Sequence, residues 1–136
     1  NERVWCVESC NARLLTHTKL QDFALKQKPP KDPALIDRLG GFVMDVSFIS
    51  VAKILPAIGD LLQPGAWGII LIKPQFEADP GQVERGGLIK KTDVRAQVVL
   101  RACNQISELG WQLRCMAKAA LKGADGNQEF VLWVII

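Results

Sequence analysis

Apolar positions along this chain fall into a few dense runs, separated by polar stretches rich in glycine and proline. The densest arrangement spans residues 41–77. Phe42-Val43-Met44 and Trp67-Gly68-Ile69-Ile70-Leu71-Ile72 are short and apolar at successive positions. That pattern predicts strands covered on both faces of a sheet. Between them Val51, Ile54, Leu55, Ile58, Leu61 and Leu62 recur at helical spacing, and Gln63-Pro64-Gly65 supplies the turn chemistry that ends the helix. A strand–helix–strand unit predicts two parallel strands joined by a right-handed crossover.

The remaining pattern builds outward from this unit. Val4-Trp5-Cys6-Val7 predicts a short strand, followed by a polar loop over residues 8–13. Residues 14–28 are weakly patterned, with a short helix expected over 20–25. Lys28-Pro29-Pro30-Lys31-Asp32-Pro33 reads as a connector, since three prolines remove donors and fix φ. After Lys73, residues 74–91 carry Pro74, Pro80, Gly81, Gly86 and Gly87 and predict a long irregular loop. Loops of that length inside a compact domain are usually functional. Thr92-Asp93 opens a helix whose apolar face is Val94, Val98, Ala102, Ile106 and Leu109, and Gly110 ends it. Residues 111–116 predict a strand, 118–127 a second loop, and 129–136 a final strand. With only a loop between them, the last two strands should form an antiparallel hairpin.

Composition narrows this picture modestly. At 136 residues with 49% hydrophobic and 23% charged side chains, the chain suits one domain with a buried core. No apolar run approaches the ~20 residues that cross a bilayer, and no signal-peptide pattern is present. A formal charge of +3 permits a nucleic-acid partner without arguing for one. Cys6, Cys10, Cys103 and Cys115 show no CxxC spacing and read as reduced thiols. The one histidine, His17, reads as a solvated loop residue.

The candidate chemistry lies where the two central strands end. The first stops at Asp45 and the second at Lys73, and open α/β sheets bind ligands at the carboxyl ends of parallel strands. One reading is a pair of solvated charges that lie close. The other is a site, favoured because each end runs into an irregular loop, Val46-Ser47-Phe48 and Pro74-Gln75-Phe76-Glu77.

A parallel sheet ending in an antiparallel hairpin is the pattern of class I (Rossmann-like) methyltransferases. The segments DVSFIS, IKPQFE, RGGLIK and GADGNQEF, in that order, resemble the carboxyl-terminal part of the TlyA-type, or hemolysin A, family. Those proteins carry an FtsJ-like ribosomal RNA 2'-O-methyltransferase domain. The opening VESCNARLLT is similar to that family's ERTNARYL segment, so the likeness runs over nearly the whole chain. It implies methyl transfer from S-adenosylmethionine to a ribose 2'-hydroxyl of ribosomal RNA or a ribosomal subunit, in the cytoplasm. Of the family's Lys-Asp-Lys-Glu tetrad, three members fall on Asp45, Lys73 and Glu129. Asn11 matches a position near the cofactor adenine, and Asp45 would sit near the sulfonium. Lys73 would hold the hydroxyl and accept its proton, while Glu129 would orient the ribose or Lys73. The loop cations Arg85, Lys90 and Lys122 (with Lys91 and Lys118) are the candidate RNA contacts, although a solvated basic loop would look the same.

Several family features have no counterpart here: the glycine-rich cofactor loop, the acidic residue ending the second strand, the first lysine of the tetrad, and an amino-terminal S4-like RNA-binding domain. Ala119-Ala120 stands where the family has Ser-Pro. The expectation is a partial FtsJ-like domain over 1–136, lacking the first two strands of the sheet and inactive by itself. Its first remaining central strand would be an open apolar edge able to pair with another chain. Two alternatives are a non-catalytic or membrane-active hemolysin-like protein and a small-molecule methyltransferase. No amphipathic cationic helix supports the membrane reading, and membrane lysis does not need the set Asp45, Lys73 and Glu129.

Overall fold

The computed structural model describes residues 4–26, 36, 37, 39–123 and 126–136. The proline connector expected at 28–33 lies outside the described residues, as do Ala124 and Asp125 of the GADGNQEF segment. Four strands form one sheet: β1 (Leu39–Met44), β2 (Leu62–Ile72), β3 (Gln112–Lys122) and β4 (Gln128–Ile135), in the spatial order β1-β2-β4-β3. β1 and β2 are parallel, with Phe42 beside Gly68 and Met44 beside Ile70. β4 runs antiparallel to both β2 and β3. The α/β class, the parallel pair and the terminal hairpin therefore stand as the pattern predicts. β1 is the sheet edge on the side where the first two strands were expected to be missing.

One face of this sheet is closed. Met44, Ile70, Ile72, Leu132 and Val134 point to it, and all are buried. They pack against Val99, Ala102 and Ile106 of a long helix (Thr92–Glu108) and against Val51, Ile54, Leu55 and Trp111. Burying each such side chain contributes about 1.5–3 kcal/mol, so this layer is the main source of stability. Phe42 locks β1 to β2 on the same side. A Cβ on Gly68 would overlap its ring and stand 2.9 Å from Val134, and Phe42 itself meets Trp111 edge-on at 5.8 Å.

Local structure departs from the pattern in several places. Val4-Trp5-Cys6-Val7 is not a strand. A strand needs a ladder partner, and none of the four described strands pairs with this segment. The first helix, α1, runs His17–Lys26 and is longer than expected. His17 is half-buried in it, with Nε2 donating to the Asp60 carbonyl at 3.0 Å, rather than solvated in a loop. The crossover helix divides into a 3-10 turn over Val51–Lys53 and a short α2 (Leu55–Gly59). Leu62 and the Gln63-Pro64-Gly65 turn join β2 instead of ending a helix. The β1–β2 register shifts there, and Gly65, at φ +81°, donates its N–H to Ile136 at 2.8 Å. A short α3 (Pro74–Glu77) follows β2, and the long helix is α4 (Thr92–Glu108). Along α4 the buried side is Val98, Val99, Ala102 and Ile106, while Leu109 faces solvent. The final hairpin is longer than expected, because β3 continues to Lys122.

The second departure of consequence is the other face of the sheet. Alternation turns Val43, Trp67, Ile69, Leu71, Val131, Trp133 and Ile135 to it, and no described helix covers them. Val43 is 75% exposed, Trp67 46% and Trp133 44%. The two-sided burial predicted for these strands is realised on one side only.

Candidate active site

β1 ends at Met44 and β2 at Ile72, so the next residues in each, Asp45 and Lys73, emerge side by side at the carboxyl end of the parallel pair. Their side chains meet: Lys73 Nζ lies 2.7 Å from Asp45 Oδ1. The same nitrogen donates to Ser47 Oγ at 3.1 Å. An ammonium has three N–H donors, so among the described residues this geometry leaves one for a third partner. The lysine side chain is 15% exposed and the aspartate 67%, which places the cation at the floor and the carboxylate at the rim. Hydrogen bonds that pack Lys73 down come from α3. Phe76 N–H donates to the Lys73 carbonyl, and buried Glu77 accepts from Val51 N–H at 2.9 Å. Arg101 of α4 donates to the Glu77 carbonyl and to Asp79, tying the turn to the helix.

Glu129 reaches the same end from β4. Ile72 pairs with Phe130, so one further step of the register sets Glu129 opposite Lys73. Alternation puts Asp45, Lys73 and Glu129 on one face, the open one. Glu129 is buried, its carboxylate lying over Gly123 so closely that a Cβ there would stand 2.6 Å from Oε1. Lys73 donates to Asp45 and Ser47 and not to Glu129.

The other expected residues divide. Asn11 accepts from Arg13 N–H at 3.1 Å, capping a 3-10 turn. It lines a surface hollow of about 320 Å³ with Lys19, Asp22 and Phe23, and Asp45 is not among the lining residues. Lys90 pairs with Glu84 at 2.8 Å, and that hydrogen bond raises the Lys90 pKa above its ordinary value. Arg85 is exposed on the same turn, and Lys122 is exposed at the end of β3. This turn is tied to the hairpin by Asn127, which is fully buried. Asn127 accepts from Ile89 N–H at 3.0 Å and donates to the Gly87 carbonyl at 2.8 Å. Ser47 and Asn127 were visible in the sequence only as members of the DVSFIS and GNQEF segments. Their contacts bridge 26 and about 40 residues, which local pattern does not report.

A strand-end lysine held by an aspartate and a serine, with a glutamate across the register, is an arrangement suited to positioning a hydroxyl group. The FtsJ-like methyltransferase family model matches residues 1–135. The chain belongs to the FtsJ-like methyltransferase family. It is 36% identical over 132 residues to the 16S/23S rRNA (cytidine-2'-O)-methyltransferase TlyA of Mycobacterium tuberculosis, covering 97% of this chain and 44% of that protein. It is 39% identical over 94 residues to Hemolysin A of Brachyspira hyodysenteriae, covering 69% of this chain and 39% of that one. Among solved structures, a protein of Lactococcus lactis described as a hemolysin superposes with a TM-score of 0.81 at 30% identity. That match covers 99% of this chain and 58% of the other. The chain thus spans under half the length of these curated FtsJ-like relatives.

Proposed function

We propose that this chain forms the substrate-side part of an S-adenosylmethionine-dependent enzyme that methylates a ribose 2'-hydroxyl of ribosomal RNA in the cytoplasm. The observation that carries the reading is the Lys73 ammonium, fixed by Asp45 and Ser47 at the carboxyl end of the parallel strands with one N–H unused among the described residues. TlyA of Mycobacterium tuberculosis, which matches 97% of the chain, is named for this reaction on cytidine.

Asp45 and Ser47 hold the lysine nitrogen in one place. Lys73 then directs its remaining N–H to the ribose oxygen, and Glu129, on the same face, takes the hydrogen bond of a neighbouring ribose hydroxyl. Holding the nucleophile in line accounts for most of the rate gain expected in a displacement at a methyl group. The resemblance also assigns Lys73 the role of accepting the hydroxyl proton, a role closed to arginine. S-adenosylmethionine, when bound, supplies the electrophilic methyl group. The residues fit its cationic end, since the Asp45 carboxylate is exposed at the rim. For its adenosine end the Asn11 hollow is the proposed place among the described residues, and the sequence offers there no glycine-rich loop or ribose-binding acid. The chain alone is therefore expected to bind the cofactor weakly or not at all by calorimetry, and tight stoichiometric binding would refute that.

Arg85, Lys90 and Lys122 are proposed phosphate contacts, with Lys90 the weakest because Glu84 already pairs with it. The edge of β1 that pairs with no described strand is proposed as a self-association surface. A membrane-lytic reading has less support. No helix among the described residues is long and apolar enough to cross a membrane, and the apolar stripe of α4 is buried in the core.

The test is methyl transfer to ribosomal subunits from labelled S-adenosylmethionine, using the chain joined to the amino-terminal half of a full-length relative. Lys73→Ala should lower the rate about 10²–10⁴-fold with cofactor affinity nearly unchanged. Lys73→Arg should fail almost as badly, and near-normal turnover in that variant would remove the proton-accepting role. Arg85→Ala and Lys122→Ala should instead weaken RNA binding and flatten its salt dependence.

A further inference from the structure

The turn between β3 and β4 carries Gly123 and Gly126, and the two are glycine for different reasons. Gly126 sits at φ +82° and faces open space, so its backbone conformation calls for glycine. Gly123 lies outside the positive-φ region, and its backbone suits any residue. The hydrogen bonds that close the turn are main-chain bonds that any residue supplies. Gly123 N–H donates to the Asn127 carbonyl at 2.9 Å, and Gly126 N–H donates to the Gly123 carbonyl at 2.8 Å. What position 123 lacks is room. A Cβ there would stand 2.6 Å from Glu129 Oε1, 3.3 Å from its Cδ and 3.7 Å from its Cγ. The glutamate side chain fills the space that a side chain at 123 would take. Glu129 is only 9% exposed, and among the described residues no cation pairs with its carboxylate. An enclosed carboxylate is unfavourable until a donor reaches it.

Resting on the methyl-transfer reading above, we propose that Gly123 is a positioning residue, whose missing side chain makes the slot that sets where the Glu129 carboxylate meets the substrate ribose. Lys73 and Glu129 stand opposite each other across the β2–β4 register, yet Lys73 is bonded to Asp45 and Ser47. With the carboxylate in its slot, the glutamate oxygens and the remaining lysine N–H are both open to the adjacent hydroxyls of one ribose. A methyl group at 123 overlaps Oε1 and drives the carboxylate out of that place. The register of the strands is untouched by the change, because the backbone at 123 accepts alanine.

The test is methyl transfer to ribosomal subunits by the chain joined to the amino-terminal half of a full-length relative. The variants are Gly123→Ala, Gly126→Ala, Glu129→Asp and the double variant Gly123→Ala with Glu129→Asp. Gly123→Ala should lower kcat about 10²-fold, the effect of a misplacement of about 1 Å. KM for the subunits and the urea midpoint should change little. Gly126→Ala should do the reverse, lowering the urea midpoint through backbone strain while kcat stays near that of the unmodified protein. The double variant decides between a slot and a plain turn residue. In Glu129→Asp the carboxyl carbon takes the place of the glutamate Cγ, 3.7 Å from a Cβ at 123, which is ordinary contact. Adding Gly123→Ala to Glu129→Asp should therefore remove little further rate, although each change alone lowers it. If Gly123→Ala folds only together with Glu129→Asp, that rescue also locates the overlap at the carboxylate. Effects that multiply, an unchanged kcat in Gly123→Ala, or failure of both variants to fold would overturn the slot. Lys73→Ala separates the two levels. Rate lost in Lys73→Ala and kept in Gly123→Ala overturns the slot and leaves the methyl-transfer reading standing. Undiminished rate in Lys73→Ala, or no transfer by the unmodified joined chain, counts against the reading and the slot together.

Discussion

The two faces of the sheet carry nearly the same sequence pattern and have opposite fates. Along β2, Ile70 and Ile72 are fully buried beneath α4, while Ile69 and Leu71, one position away, stay partly open with Trp67. Along β4, Leu132 and Val134 are fully buried, while Trp133 is 44% exposed. Apolar character at every position says that both faces are suited to cover, but it does not say what covers each. The closed face has its cover within the chain. At the carboxyl end of the open face stand Asp45, Lys73 and Glu129, so the layer that stabilises the fold and the layer that bears the candidate chemistry are separate.

Paired substitutions sharpen this contrast. Ile70→Ala should cost about 2–5 kcal/mol, the usual cost of a large-to-small change in a packed core. Ile69→Ala should cost well under half as much, and urea denaturation of the two variants measures the difference. Equal losses would mean that the open face is covered in solution. Next in size is Gly68→Ala, which drives a methyl into Phe42 and Val134 and should destabilise by about 1–3 kcal/mol. Trp133→Ser should change stability less than Gly68→Ala does, yet reduce any concentration-dependent association seen by sedimentation, since it removes apolar area from the open face. Association unaffected by Trp133→Ser would instead point to the β1 edge, where a charged Val43→Lys should suppress it.

The smallest effect is in the thiols. Cys115 is exposed on the open face, opposite Trp133, whereas burial pushes the Cys103 thiol above its ordinary pKa. The thiolate is the reactive form. Iodoacetamide near pH 8 should therefore label Cys115 before Cys103, with mass spectrometry of the peptides as the readout.

Strand positions, their directions and the final hairpin were legible because apolar runs and turn residues mark them locally. Asp45 and Lys73 were legible too, as charges that end apolar strands. Val4-Trp5-Cys6-Val7 misled because a strand is defined by its partner, and propensity carries no information about partners. Gln63-Pro64-Gly65 misled in a related way, since its turn residues were taken up by a register shift within β2 rather than by a chain reversal. Ser47 and Asn127 were not legible in the pattern. Each depends on two loops arriving together from distant parts of the chain. Likewise, the placement of Glu129 opposite Lys73 follows from the β2–β4 register, which the hydrophobic pattern leaves open.

The most direct test is where the methyl group goes. Ribosomal subunits would be treated with labelled S-adenosylmethionine and the chain joined to the amino-terminal half of a full-length relative. The RNA would then be digested and its nucleosides resolved by mass spectrometry. Label on the ribose 2'-oxygen, lost in Lys73→Ala, is the predicted result. Label on a base, or ribose label that survives Lys73→Ala undiminished, would contradict the assignment of this strand end as a hydroxyl-positioning site.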